Sequence, residues 1–173
     1  MFKKPFVAAI ICVIVVVLST VVSVRVRLNP QCEAVNESFY RSGGIADQLT
    51  AVCDAGAGIV NLAESNGMDT KGAESYCLAL RLAVGNNDKS SLMNMYRITS
   101  ARLNELKVAL QRAELSEKDA ELLEGYSTQL DLAQTLISAD PYNSSVKSFL
   151  QGLGGFSRGM AKLCGVDLPE QFA

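Results

Sequence analysis

The side chains best equipped for chemistry in this chain are four cysteines, a run of carboxylates and a few hydroxyls. Cys32, Cys53, Cys77 and Cys164 lie outside the apolar N-terminus, whereas Cys12 lies within it. Four thiols allow two disulfides in three connectivities. No CxxC pair or zinc-type spacing occurs among them. The simpler reading makes them small apolar core residues. Glu114, Glu117, Asp119, Glu121 and Glu124 form an acidic run. Hard cations prefer such oxygen ligands, but the run has neither EF-hand spacing nor the glycine of its turn. A solvated helix face, with negative charge near a helix N-terminus, accounts for it more simply. Ser90, Ser91, Ser144 and Ser145 stand at expected helix starts, where capping is the default role of a hydroxyl.

The chain contains no histidine. Its own residues therefore cannot supply a His-dependent triad, an HExxH zinc site or the Glu-x-x-His form of helical-bundle metal site. A Ser or Cys nucleophile would need another base. With no convergent set of catalytic, cofactor-binding or metal-ligating residues, the expectation is a protein that is not an enzyme and holds no cofactor. From Asn29 onward there are 12 Lys plus Arg against 18 Asp plus Glu, a balance near −6. Neutralising nucleic-acid phosphates needs a basic face, so nucleic acid is not an expected partner.

The element that must carry everything else is the N-terminus. Phe6 to Val24 holds no charge and is mostly Val, Ile, Ala and Leu. Its length is close to the roughly 20 residues that cross ~30 Å of hydrocarbon as a helix. Lys3 and Lys4 precede it, and Arg25 and Arg27 follow it, where extended stems reach the headgroups. The rival is a cleaved secretory signal, whose apolar region is typically shorter, about 7–15 residues. Only Ser19 and Ser23 suggest a cleavage site, and Ile11 argues against a lipoprotein site at Cys12. Charge on the two flanks is nearly balanced, so the positive-inside rule sets no orientation. The span has no GxxxG pattern to favour helix dimerisation.

Helical periodicity fills the remainder. A first helix is expected from about residue 33 to 65, possible as a continuation of the anchor, with Ile45, Leu49, Val52, Cys53, Ile59, Val60 and Leu62 spaced by threes and fours. Gly43, Gly44, Gly56 and Gly58 weaken it by up to ~1 kcal/mol each. Close packing against another helix explains the last two. Asn66-Gly67 is a stop signal. A second helix fits 70–84, with Ala73, Cys77, Leu80 and Val84 on one face, ended by Gly85-Asn86-Asn87. A third fits 90–113, with Leu92, Met95, Tyr96, Leu103, Leu106 and Leu110. Ser116 with Asp119 reads as an N-cap opening a fourth helix through Leu122, Leu123, Tyr126, Leu130, Ala133 and Ile137. Pro141 either kinks that helix or begins another capped by Asp140. Val146, Phe149 and Leu153 continue the helical spacing, and Gly165 and Pro169 mark an irregular end.

The fold expected is all-α: an anchor over residues 1–28, spanning at about 6–24, and an antiparallel four-helix bundle over 29–173. In such a bundle Cys32 and Cys164 fall near the membrane-facing end. Cys53 and Cys77 face each other across the first hairpin with a mismatch of ~7.5 Å along the axis, which makes them the less convincing pair.

Near the C-terminus Leu115-Ser116-Glu117-Lys118-Asp119, Asp140-Pro141-Tyr142-Asn143, Val146, Phe149, Leu153 and Phe156 resemble the LemA family of bacterial membrane proteins. The family pattern is Tyr-Asn-x-x-Val-x-x-Phe-Asn-x-x-Leu-x-x-Phe-Pro. Here Leu150 replaces the second Asn and Ser157 replaces the Pro, which marks a divergent member. Cys164-Gly165-Val166 to Phe172 is similar to the closing region of the family. The resemblance implies one transmembrane helix and an antiparallel helical bundle in a bacterial membrane, and no established enzymatic activity.

Tyr142 and Asn143 are candidates for a recognition site. The structural alternative buries Tyr142 with its hydroxyl at the rim and uses Asn143 to satisfy backbone groups near Pro141. The leading functional expectation is a non-enzymatic interaction or scaffold protein at the bacterial cell envelope. Its partners would be the lipid bilayer, through residues 6–24, and a membrane or envelope protein. The alternatives are a membrane-bound enzyme or metal-dependent protein using Asp and Glu, and a self-associating envelope component. Four cysteines that permit disulfides tip the domain toward the outside of the cytoplasm.

Overall fold

The computed structural model describes residues 3–86 and 89–172, with the side chains of residues 3–6, 89 and 90 left aside. Lys3 and Lys4 as headgroup anchors, Asn87 as a helix stop and Ser90 as a cap thus lie outside the described residues. Helices run in the order α1 (Lys3–Tyr40), α2 (Ile45–Ser65), α3 (Ala73–Gly85), α4 (Lys89–Gln111), α5 (Glu117–Ala139) and α6 (Tyr142–Leu163), with no strand among the described residues. Packing divides them into two compact units. One comprises residues 1–38 and 142–171, the other residues 39–141 and 172–173.

The second unit is a four-helix bundle with α2 at its centre. α2 packs most extensively on α5 and also on α3 and α4. Ile45, Leu49, Val52, Cys53, Ile59, Val60 and Leu62, the periodic residues of the sequence, are all buried. Gly56 and Gly58 are where neighbours approach. A Cβ at Gly56 would come within 2.7 Å of Leu103 and 3.0 Å of the Cys77 sulfur, and one at Gly58 within 2.6 Å of the Tyr126 ring. The expected first helix is not continuous, however. It breaks between Tyr40 and Ile45, and its N-terminal part belongs to α1. Gly43 adopts φ +74°, a left-handed conformation that favours glycine. Asp47 accepts a hydrogen bond from its N–H at 2.7 Å. A Cβ at Gly44 would lie 2.9 Å from the carbonyl oxygens of Phe39 and Arg41.

Other boundaries follow local chemistry. α2 ends in a Schellman arrangement, with Gly67 N–H on Glu64 O at 2.9 Å and Met68 N–H on Ala63 O at 2.9 Å. The second helix begins at Ala73, not at residue 70. On it Ala83 is buried, whereas Val84 is half-buried. Ser116 caps α5 by accepting from Asp119 N–H at 3.1 Å. α5 stops at Ala139, Asp140 is extended, and Pro141 precedes a new helix rather than kinking the old one. Phe172 is buried in the same unit, its ring centroid 5.5 Å from that of Phe39 and 5.7 Å from that of Tyr96.

The first unit contains α1 and α6. α1 is one helix from the apolar segment through residues 28 and 29 to Tyr40, with Pro30 inside it. An interior proline costs about 3 kcal/mol or more. Burial of Leu28 and Cys32 on either side helps to hold the helix there. Ahead of it, Val13, Val15, Val16, Val17, Leu18 and Val22 are all exposed. α1 supplies the one stretch among the described residues long and apolar enough to cross a membrane. Its 12 Val, Ile and Leu between residues 6 and 24 favour insertion by roughly 4–7 kcal/mol in sum, at ~0.3–0.6 each. Thr20 donates its hydroxyl to Val16 O at 2.8 Å, which satisfies it within the helix.

α6 is interrupted at Gly154, where φ +65° and ψ 166° are non-helical. The break frees the Leu150 carbonyl, and Arg158 Nε–H donates to it at 2.7 Å. α6 ends in a second Schellman arrangement, with Gly165 N–H on Lys162 O at 3.0 Å and Val166 N–H on Ala161 O at 3.0 Å.

Candidate interaction surface

The residues that chemistry singled out fall into four separate places. Tyr142 is 1% exposed and donates its hydroxyl to Glu170 O at 3.0 Å, an intramolecular tie to the C-terminal tail. The Asn143 backbone carbonyl accepts from Gln171 at 3.4 Å on the same tail. The geometry supports the structural reading of Tyr142, whereas this contact of Asn143 is made by its backbone rather than its side chain. Glu114, Glu117, Glu121 and Glu124 are exposed, and Asp119 is half-buried beside the α5 cap. No group of three or more Cys, Asp or Glu side chains is gathered for a metal ion among the described residues.

The four cysteines form two local pairs. Cys32 and Cys164 share one apolar cluster with Leu28, Ala161 and Val166. The Cys53 thiol reaches Cys77 O at 3.4 Å across α2 and α3. Cys77 lies only four residues into α3, and the loop over residues 66–72 takes up the axial offset expected from the sequence. All four are buried thiols. Burial, with the Cys77 thiol alongside, pushes the Cys53 thiol up to about 12; burial pushes Cys77 up to about 11. Neither is a thiolate at neutral pH, so neither is a ready nucleophile. Arg81 of α3 bridges to Asp54 of α2 beside this pair.

A cleft of about 440 Å³ opens between α4 and α5. Lys107, Gln111, Glu124, Ser127, Thr128 and Asp131 are among its lining residues. Lys107 donates to both carboxylate oxygens of Asp131, at 2.7 and 2.8 Å. The Ser127 hydroxyl is buried with no hydrogen-bond partner among the described residues.

Sequence periodicity did not single out the exposed apolar residues of the bundle. Leu78 and Leu82 lie one turn apart on α3, and Leu132 and Leu136 one turn apart on α5. All four are exposed, as is Leu122, which the fourth-helix pattern had included. Each pair sits just outside the stripe its own helix buries, which on α3 includes Cys77 and Leu80 and on α5 Leu130, Ala133 and Ile137. Two-face hydrophobicity on these helices was the signal that could have found them.

Comparison with family models, curated proteins and solved structures gave no match. The likeness to the LemA family accordingly rests on the motif residues alone.

Proposed function

We propose that this chain is a single-pass protein of the bacterial cell membrane, a divergent LemA-type protein whose bundle is a non-enzymatic interaction or scaffold module. One observation carries the reading: a long apolar helix without protein cover leads into a bundle that leaves Leu78, Leu82, Leu132 and Leu136 exposed. Exposed apolar surface on a folded domain is what a protein partner can cover. The test is affinity capture from detergent extracts with the full-length chain and with Leu78→Asp/Leu82→Asp and Leu132→Asp/Leu136→Asp. A reproducible partner lost with one pair supports the proposal. No reproducible partner, or one retained by both variants, counts against it.

The bundle is proposed to lie outside the cytoplasm. The supporting observation is the partition of the four thiols into Cys32 with Cys164 and Cys53 beside Cys77, each within one packing unit. Intact mass before and after reduction should differ by the hydrogens of two disulfides. Free thiols at all four of these cysteines, on protein isolated under acid quench, would contradict that side.

A second reading has its own support in the α4–α5 cleft, where Ser127 is buried, without a partner among the described residues, beside the Lys107–Asp131 ion pair. A metal-dependent or catalytic role there requires stoichiometric metal or turnover that disappears with Asp131→Ala and Glu124→Ala. Metal analysis of the purified full-length protein separates it from the scaffold reading.

A further inference from the structure

α6 starts beside the end of α1 and finishes beside its apolar part. At the start, Arg41 pairs with Asp140 at 3.2 Å, one residue beyond α1 and two before α6. At the finish, Arg25 Nε–H donates to Cys164 O at 2.6 Å. α6 therefore returns antiparallel along α1, toward the segment that enters the membrane. Arg25 is thus engaged in capping the returning helix, where a cation also meets the negative end of the helix dipole. Val21 and Val24, both within the span, pack against the cluster that includes Ala161, Cys164 and Val166. The last turn of α6 consequently sits level with the end of the span.

What that half-helix presents outward is apolar. Phe156 is 84% exposed and Leu163 is 83% exposed, the barest large apolar side chains outside the anchor. They are seven residues apart, with half-buried Met160 between them on the same face. Lys162, exposed, lies on the flank of this stripe. An apolar stripe with a basic flank suits contact with a membrane interface, and here the helix meets it end-on, since it runs along α1. Water would have to solvate both side chains if the stripe faced it, whereas the bilayer that holds α1 is already at this level.

We infer that the second half of α6, residues 155–163, is seated in the membrane interface, with Leu163 at the edge of the hydrocarbon and Phe156 among the headgroups. The inference rests on the membrane-anchor reading of α1. Leu163 and Phe156 are ~10 Å apart along the helix, so they probe different depths. The interruption at Gly154 gives this half a direction different from that of the first half, which carries buried Val146 and half-buried Phe149 and Leu153. Lys162 would meet lipid phosphate.

The chain has no tryptophan, so single-Trp variants of the full-length protein report depth directly. Leu163→Trp, Phe156→Trp and, as control, Ala34→Trp would be reconstituted into phosphatidylcholine vesicles carrying acyl-chain bromines near the headgroup end. Ala34 is exposed on α1 and ten residues, ~15 Å, beyond Val24. The inference expects blue-shifted, strongly quenched emission for Leu163→Trp and weaker quenching for Phe156→Trp. Ala34→Trp should show water-like, unquenched emission. Vesicles that float with the protein while Leu163→Trp and Phe156→Trp stay unquenched would overturn the inference and leave the anchor intact. Blue-shifted but unquenched emission that depends on protein density would also overturn it, by assigning the stripe to a second copy. Protein that fails to float would overturn the anchor reading itself, and the inference with it.

Discussion

The two units use the same aliphatic residues in opposite ways. In the four-helix bundle, Leu49, Leu80, Leu92, Leu103, Leu110 and Leu130 are fully removed from solvent by neighbouring helices. In α1, Val13, Val16 and Leu18 have no protein around them, and Val16 is 64% exposed. Burial of such a side chain is worth about 1.5–3 kcal/mol. α1 leaves eleven large aliphatic side chains exposed, and apolar surroundings would recover that stabilisation. The difference shows that composition alone does not define a core: the bundle covers its aliphatic side chains, and the apolar half of α1 leaves them without protein cover.

The sharpest way to break the comparison is to shorten one aliphatic side chain in each region. Leu130→Ala should destabilise the bundle by ~2–5 kcal/mol, through lost burial and a cavity. Val16→Ala should leave its thermal midpoint in detergent unchanged. Equal effects would mean that the two regions share one core. Next in size is a charge in the span. Val16→Arg should cost ~2.5–3.5 kcal/mol of insertion. It should move protein from membrane to soluble or aggregated fractions without altering bundle stability.

The glycines of α2 sharpen the comparison inside the bundle. Alanine gains up to ~1 kcal/mol of helix propensity over glycine, against ~1–3 kcal/mol for overpacking. Gly56→Ala meets Leu103, which is fully buried and has nowhere to go, so net destabilisation of about 1–2 kcal/mol is expected. Gly58→Ala meets Tyr126, a half-buried ring that can swing outward, so its cost should be clearly smaller. Urea denaturation of the two variants decides the order.

A further effect, confined to alkaline solution, is one of pH. With both thiols reduced, burial raises Cys53 to about 12 and Cys77 to about 11, from an ordinary value of 9.0. Below pH 9 both are protonated whether folded or unfolded, so their contribution is fully present. Above pH 9 the unfolded chain loses these protons first, and stability falls progressively toward pH 12. Cys53→Ala/Cys77→Ala should flatten that alkaline decline, and so should a disulfide between the two. Thermal melts across this range, with and without reductant, test it.

Much of this arrangement is legible in the residues. An uncharged run of 19, the Ser116 cap and the Gly67 stop are local signals, and each acts through backbone chemistry within a few positions. The Gly43-Gly44 break was visible only as weakness, because a left-handed φ at Gly43 and the lack of room at Gly44 depend on how the chain turns. The division into two units could not be read at all. It follows from α6 returning along α1, a long-range pairing fixed by contacts such as Arg25 with Cys164. The expected proximity of Cys32 and Cys164 did follow from antiparallel geometry. The closer approach of Cys53 to Cys77 did not, because the span of the loop between α2 and α3 is not encoded in periodicity. The exposed leucines of α3 and α5 escaped notice because a helical period marks a face without saying whether a partner covers it.

Everything depends on where the apolar half of α1 resides. The direct measurement is fractionation of the full-length, uncleaved chain on expression, with alkaline carbonate extraction followed by flotation. The chain is expected to stay with the floating membranes and to leave them only in detergent. Recovery of the intact chain, monodisperse, in the detergent-free soluble fraction would contradict a membrane-spanning α1.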